Sequence, residues 1–477
     1  MTVTATIPVK LDINGLDPSK IELAEEYTLL EHLYSPLIEL NDKGELTSGI
    51  ASKFEWIGTN AEFTIRNDIT LKNGDKISPE DVVASIKRLM ILNQNSHGKI
   101  SSLLCPERHL KTLEEDCSRI TIDQNKVIFK LDKVAPFLFK LLASIDYAII
   151  PKKSLDQKTL KIKDYKNSTG PYQLESVDED AITLTINRDH YHYSKLAPQK
   201  IKYVVPKGKS LDLLKNGNID IITTDDITSE PEELVNAAIS NSFNIHKTLP
   251  IETNVLVFTT SGINKMSSER RLKVGKAIRK AFAAKISKNE ISETSYQFFP
   301  ALGDGALSEK QEELALNKYK ELDISKEDGH GVILSVPQSR IEFLKKVILP
   351  ILPKLKLIET KRYPDIYDNS GEFGDMVIVR TDTGFLEEIS LISYSMNFGF
   401  FGLDKTQNLA WIENYMRIED KNTRLKQLKD LHLKALLEPI MVPLYNTSYV
   451  VLSNKKWSIN FSQLYSNSQL WRLRKND

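Results

Sequence analysis

The chain has 477 residues, 41% of them hydrophobic, with 64 basic side chains against 64 acidic ones. That length can bury substantial cores and, at about 150 residues per domain, divides into two or three units. A net charge of zero removes any general electrostatic pull toward nucleic acid or an anionic membrane, and no apolar run approaches the roughly 18 residues of a membrane-spanning helix.

Strand and helix patterns are interleaved along the chain. Glu62 to Ile65 reads as a strand, rich in aromatic and β-branched residues. A helix follows from Ser78, which can accept from first-turn amides; Pro79 loses nothing at a position whose N–H is unpaired, and Glu80 and Asp81 suit the positive end of the dipole. Val82, Val83, Ile86 and Leu89 give that helix one apolar face. Cys105 and Cys117 are the only cysteines. Closing so short a loop is easy in an oxidising compartment, and two separate thiols fit the sequence equally well.

Val127 to Leu131 is the next strand pattern. After it, Thr169-Gly170-Pro171-Tyr172 reads as a turn leading into a strand: Gly170 offers a position free of Cβ clashes, Pro171 biases Thr169 to extended backbone, and Tyr172 and Leu174 share a face. Ile182 to Ile186 and Asn254 to Phe258 read as further strands. A helix starts near Glu269, with Leu272, Ala277, Ile278, Ala281 and Phe282 at helical spacing. Another runs from Asn422 to Leu437, buries Leu425, Leu428, Leu431, Ala435 and Leu436, and stops before Pro439.

Catalytic signatures are missing from the sequence. There is no Gly-rich phosphate loop ending in Lys-Ser/Thr, no Gly-x-Ser-x-Gly elbow and no His-Glu-x-x-His helix. His190 and His192 would share a face of an exposed strand, but two ligands do not make a metal site. The acid pairs Glu25-Glu26, Asp225-Asp226 and Glu387-Glu388 read as solvated surface, because adjacent side chains diverge. A non-enzyme without metal or cofactor is the expectation.

An ordered series of segments says more than any single motif. It comprises Leu16-Asp17-Pro18, Leu33-Tyr34-Ser35-Pro36-Leu37-Ile38, Glu62 to Ile69, Ser78 to Arg88, Ser168 to Ser176, Asn187-Arg188-Asp189-His190-Tyr191, Leu214 to Asp220, Arg271 to Ile278 and Pro443-Leu444-Tyr445. In that order the segments resemble family 5 of the extracellular solute-binding proteins, the oligopeptide- and dipeptide-binding type that serves ABC importers. The resemblance runs from about Leu16 to Trp457.

The resemblance implies an α/β, two-lobed periplasmic-binding-protein fold with an additional subdomain and a hinge. Transferred to this chain, residues 1–45, 170–248 and 448–477 form a composite lobe I, 46–169 its subdomain, and 249–447 lobe II. The absence of a Pro/Gly/Ser-rich linker suits lobes joined by several chain crossings. The implied function is capture of peptides between the lobes by hinge closure and delivery to permease subunits, with no nucleic-acid partner. A non-peptide solute, such as a metal chelate, a sugar or an anionic small molecule, is the alternative. A hinge that must open and close favours a monomer. The implied location is periplasmic or extracellular, at the membrane through the transporter. Because the resemblance starts almost at residue 1, a secretion signal is expected to have been removed ahead of Met1, although composition alone fits an intracellular chain too.

By position in the family pattern, Leu23, Ala24 and Glu25 fall in the cleft, as do Asn254, Tyr445 and Asn446. The chain departs from the family where a segment like "YDMALAGWGADYPDP" is common. Here Gly374 to Phe385 puts Thr381 in place of the Trp and Gly384 in place of the Asp. Either Asp382, between Thr381 and Thr383, takes over the binding of a peptide amine, or no free peptide N-terminus is recognised. Arg380 in the cleft would suit a carboxylate or phosphate through bidentate hydrogen bonds; outside it, Arg380 would pair with Asp382 or lie on the surface.

Overall fold

The computed structural model describes residues 1–6, 16–21, 24–92, 98–107, 109–207, 209–223, 243–286, 292–299, 303, 305–337, 340–360, 373–382, 401–464 and 469–476. Among these, three sheets dominate. A seven-stranded sheet has the order β12 (Phe243–Lys247), β19 (Val450–Asn454), β11 (Ile221–Thr223), β1 (Thr2–Thr6), β10 (Lys200–Val204), β9 (Ala181–Ile186) and β8 (Tyr172–Val177). A six-stranded sheet has the order β14 (Ser292–Thr294), β18 (Met441–Thr447), β13 (Glu252–Phe258), β17 (Met376–Asp382), β15 (Ile333–Pro337) and β16 (Lys356–Thr360). The third is four-stranded: β4 (Ala51–Ile57), β5 (Asn60–Ile65), β7 (Lys126–Lys130) and β6 (Ile120–Asp123). Two hairpins, β2 (Ile38–Leu40) with β3 (Leu46–Ser48) and β20 (Trp457–Ile459) with β21 (Leu473–Lys475), complete the strands. No helix among the described residues is long and apolar enough to cross a membrane.

The two larger sheets are tied by two chain crossings, residues 248–251 between β12 and β13 and residues 448–449 between β18 and β19. The crossings pair with each other. Thr248 N donates to the Tyr449 carbonyl at 3.0 Å, and Tyr449 N donates to Thr248 Oγ1 at 2.8 Å.

Local chemistry explains the ends of the elements. The helix Pro79–Leu92 starts as its sequence demands, with Ser78 N donating to Asp81 Oδ2 at 2.9 Å; Asp81 also accepts from Lys152 N at 2.7 Å, so it holds a neighbouring loop as well as the helix end. Val82, Ile86 and Leu89 are buried and Val83 is half-buried. Gly170 is required by close approach: a Cβ there would lie 2.3 Å from the His32 carbonyl oxygen. Cys105 and Cys117 are bonded, with Cα atoms 5.5 Å apart.

Two sequence expectations change. Residues 187–193 form a turn rather than an exposed strand, because Asn187 Oδ1 accepts from Asp189 N at 3.1 Å and folds the chain back. His190 is buried with Nε2 3.1 Å from Ser35 Oγ, and His192 Nε2 lies 2.7 Å from Glu39 Oε2, a carboxylate that also accepts from the Tyr191 hydroxyl. The two histidines therefore serve packing between distant segments. Glu26, expected on the surface, is buried, while Asp225-Asp226 and Glu387-Glu388 lie outside the described residues.

Candidate functional site

The crossings deliver the chain to one end of the six-stranded sheet. There Glu252 opens β13 and stands opposite Asp382 of β17 on one side and Thr447 of β18 on the other. One step inward along the same face, Asn254 is the direct partner of Arg380 on β17 and of Tyr445 on β18. Direct partners in an antiparallel pair point to the same face, so Asn254, Arg380 and Tyr445 form one row.

Tyr445 reaches that row through an irregularity. The register of β18 slips between Asn254↔Tyr445 and Val255↔Pro443, leaving Leu444 as the extra residue. Pro443 has no N–H to give the ladder, which is where a bulge is tolerated, and the bulge re-aims the side chains after it. Leu444 and Tyr445 consequently both pack in the apolar cluster beneath the helix Ser268–Ile286, with the Tyr445 and Phe282 ring centroids 5.1 Å apart.

Three features set the electrostatics of the row. Arg380 Nη1 lies 3.9 Å from Glu252 Oε2, the carboxylate being almost wholly buried. Burial pushes the Tyr445 phenol above its ordinary value, against the pull of Arg340 and Arg380 and with a further push from Glu252. Asn254 is 1% exposed, and among the described residues neither its Oδ1 nor its Nδ2 has a hydrogen-bond partner. A buried amide left unpaired costs about 1–3 kcal/mol per group, and native proteins pair nearly all such groups.

The structure thus brings together Asn254, Arg380 and Tyr445 and separates Asn446 from them. Asn446 pairs with Thr253, itself opposite Thr381, on the other face, where Thr253 Oγ1 donates to the Phe298 carbonyl at 3.0 Å; the Asn446 Oδ1 is buried without a partner among the described residues. Thr381 and Asp382 take part in the β17 ladder, but their side chains lie outside the described residues. Ala24 and Glu25 open the helix Ala24–Leu33 with side chains likewise outside, and Leu23 and Thr383 fall outside altogether. Glu252 and Arg340 escaped the sequence reading, since nothing marks a strand's first residue or a lone Arg before a helix as neighbours of Tyr445. Among the described residues, the group of possible metal ligands Cys105, Glu107 and Cys117 has both sulfurs engaged with each other.

Comparison with known proteins gives this geometry a setting. Residues 45–317 match the family described as bacterial extracellular solute-binding proteins, family 5 Middle. The periplasmic oligopeptide-binding protein OppA of Salmonella typhimurium is 21% identical over 322 residues, which cover 62% of this chain and 56% of that protein. The chain thus spans little more than half of that relative's length. DppA from Helicobacter pylori in complex with the peptide STSA superposes with a TM-score of 0.77 at 15% identity, over 100% of this chain and 98% of that one. NikA from Brucella suis in complex with Fe(III)-EDTA gives a TM-score of 0.76 at 18% identity, over 100% of both chains.

Proposed function

We propose, because this chain belongs to family 5 of the bacterial extracellular solute-binding proteins, that it captures a solute between two lobes and presents it to the permease subunits of an ABC importer. One lobe is built on the seven-stranded sheet and the other on the six-stranded sheet, and the protein works outside the cytoplasmic membrane. The observation that carries this reading is the pair of bonded crossings at 248–251 and 448–449, with the Asn254 amide, unpartnered among the described residues, next to them on the six-stranded sheet. Two crossings with few residues each can bend while the sheets on either side stay rigid. A solute contacting both lobes then biases the open-to-closed equilibrium by its extra contacts in the closed form.

A peptide is the first solute class, supported by the likeness to the oligopeptide-binding protein OppA and to DppA in complex with a peptide. Asn254 offers one acceptor and two donors, which suits a backbone amide, and an Asp382 carboxylate would suit a terminal amine. No bond need be made or broken, so no catalytic step is assigned. The second reading, an anionic or chelate-type solute, is favoured by Arg380 standing beside Asn254.

Native mass spectrometry of gently purified protein, compared with the denatured sample, separates these readings. Peptide binding gives a spread of extra masses resolving into short peptides, whereas one discrete non-peptide mass selects the second reading. For either solute, Asn254→Leu is expected to weaken binding roughly tenfold or more, the worth of one or two buried hydrogen bonds. Asp382→Ala abolishes it only for a peptide amine. Unchanged affinity in Asn254→Leu would remove this row from the site.

A further inference from the structure

Resting on the two-lobe reading, we infer that Lys133 is a clasp that holds the lobes together independently of the bound solute. Lys133 lies in the loop between β7 and the helix Leu138–Leu141, beside the four-stranded sheet. Its partner is 284 residues away, in the stretch of chain that builds the six-stranded sheet. There Lys133 Nζ donates to the carbonyl of Arg417, the last residue of the helix Lys405–Arg417, at 3.2 Å, and lies 3.6 Å from Glu419 Oε1.

The receiving end is organised without Lys133. Arg424 Nη1 donates to the carbonyls of Ile418 at 2.7 Å and Glu419 at 2.8 Å, and Asp420 accepts from Thr423 N at 2.7 Å to cap the next helix, Lys421–Leu437. The turn between the two helices is therefore held in place from its own side. A helix C-terminus carries partial negative charge and Glu419 adds a full one, so the turn is a cation seat that the other lobe fills. Apolar packing accompanies the contact. One continuous cluster includes Leu131, Ala135 and Phe137 from the Lys133 loop together with Tyr415, and Trp411 and Met416 pack against it from the same helix as Arg417.

The magnitude suits a switch rather than a structural bond. The Lys133 and Glu419 side chains are 53% and 69% exposed, so the pair adds little to folding. For an open-to-closed equilibrium near balance, the same interaction shifts the ratio about two- to fivefold. The clasp therefore populates the closed form before solute arrives and slows release afterwards.

The test is a distance measurement between spin labels at Thr59→Cys, in the β4–β5 hairpin, and Lys426→Cys, on the helix Lys421–Leu437, without added solute. Lys133→Glu and Glu419→Lys should each enlarge the open population about two- to fivefold, and the double charge swap should restore it in part, since it re-forms the ion pair but not the hydrogen bond to the Arg417 carbonyl, all with unchanged melting temperature. If the distances are distributed over two populations, or respond to a tryptic casein digest, while Lys133→Glu matches the parent, the clasp is wrong and the hinge stands. A single distance that neither the charge swaps nor the digest moves would overturn both.

Discussion

Arg88 carries its charge into the interior with 3% of its side chain exposed, and Asp17 meets it with 4% exposed at 2.5 Å. Arg88 Nε also donates to the Leu160 carbonyl at 2.7 Å, while Asp17 Oδ1 accepts from Ser19 N at 3.0 Å and caps the short turn Pro18–Lys20. Each charge alone would be costly to bury, and the pair offsets that cost only as a pair. Arg88→Ala leaves the Asp17 carboxylate uncompensated and should lower the free energy of unfolding by about 3–5 kcal/mol, whereas Arg88→Met with Asp17→Asn should recover much of the loss. Urea unfolding of the two variants checks this; equal losses would mean the pair is not what matters. Leu16-Asp17-Pro18 stands out in the sequence, yet its partner lies 71 residues on, and no local pattern announces that a helix arginine turns inward.

At the scale of elements, periodicity located the helices Pro79–Leu92, Ser268–Ile286 and Lys421–Leu437 and the strands β5, β7, β8, β9 and β13, because it records burial directly. It failed where a polar side chain directs the backbone, as Asn187 does in the turn before His190, or where a polar residue is buried within an apolar stripe. His432 is the second case. It sits among Leu428, Leu431, Ala435 and Leu436 with no exposed surface. Its Nε2 accepts from Phe298 N at 2.9 Å, and Nδ1 lies 3.3 Å from the Gly305 carbonyl, to which it donates. Accepting at one nitrogen and donating at the other fixes the neutral ring, and burial lowers its pKa to about 3. His32, buried with Nδ1 2.6 Å from the Thr28 carbonyl, is lowered to about 4, again by burial. Both folded-state values lie below the ordinary 6.5, so the unfolded chain binds protons that the folded one refuses. Stability is fully present above about pH 6.5 and falls as the pH drops toward 4, at up to roughly 1.4 kcal/mol per pH unit for each histidine. His432→Gln should be less stable at pH 7 but lose stability less steeply below pH 6.5. Parallel pH profiles from urea melts would remove His432 as a source of the acid sensitivity.

For the whole molecule, the order of motifs implied the family that the residue 45–317 match establishes, but the candidate row was only partly legible. The pattern pointed to Asn254, Tyr445 and Asn446 alike, and register then divided them: a bulge opposite Asn254/Val255 puts Tyr445 in a row with Asn254 and leaves Asn446 behind the sheet. A bulge is a property of strand pairing, which one strand's sequence does not display. Thr248 in the crossing and Asn254, six positions on in β13, should respond to substitution in opposite senses. Thr248 Oγ1 receives the buried Tyr449 N–H; Thr248→Val strands that donor in open and closed forms alike, so it should cost about 1–3 kcal/mol of stability and leave solute affinity nearly unchanged. Asn254 has no hydrogen-bond partner among the described residues to lose. Asn254→Leu removes a buried, unsatisfied amide at similar volume, so the solute-free protein should become about 1–2 kcal/mol more stable while binding more weakly. Chemical unfolding of both variants, with and without the co-purified solute, reads the two effects separately. A loss of stability in Asn254→Leu would mean that its amide is satisfied within the folded chain, and the row beside the crossings would then be packing rather than a site held ready at a cost.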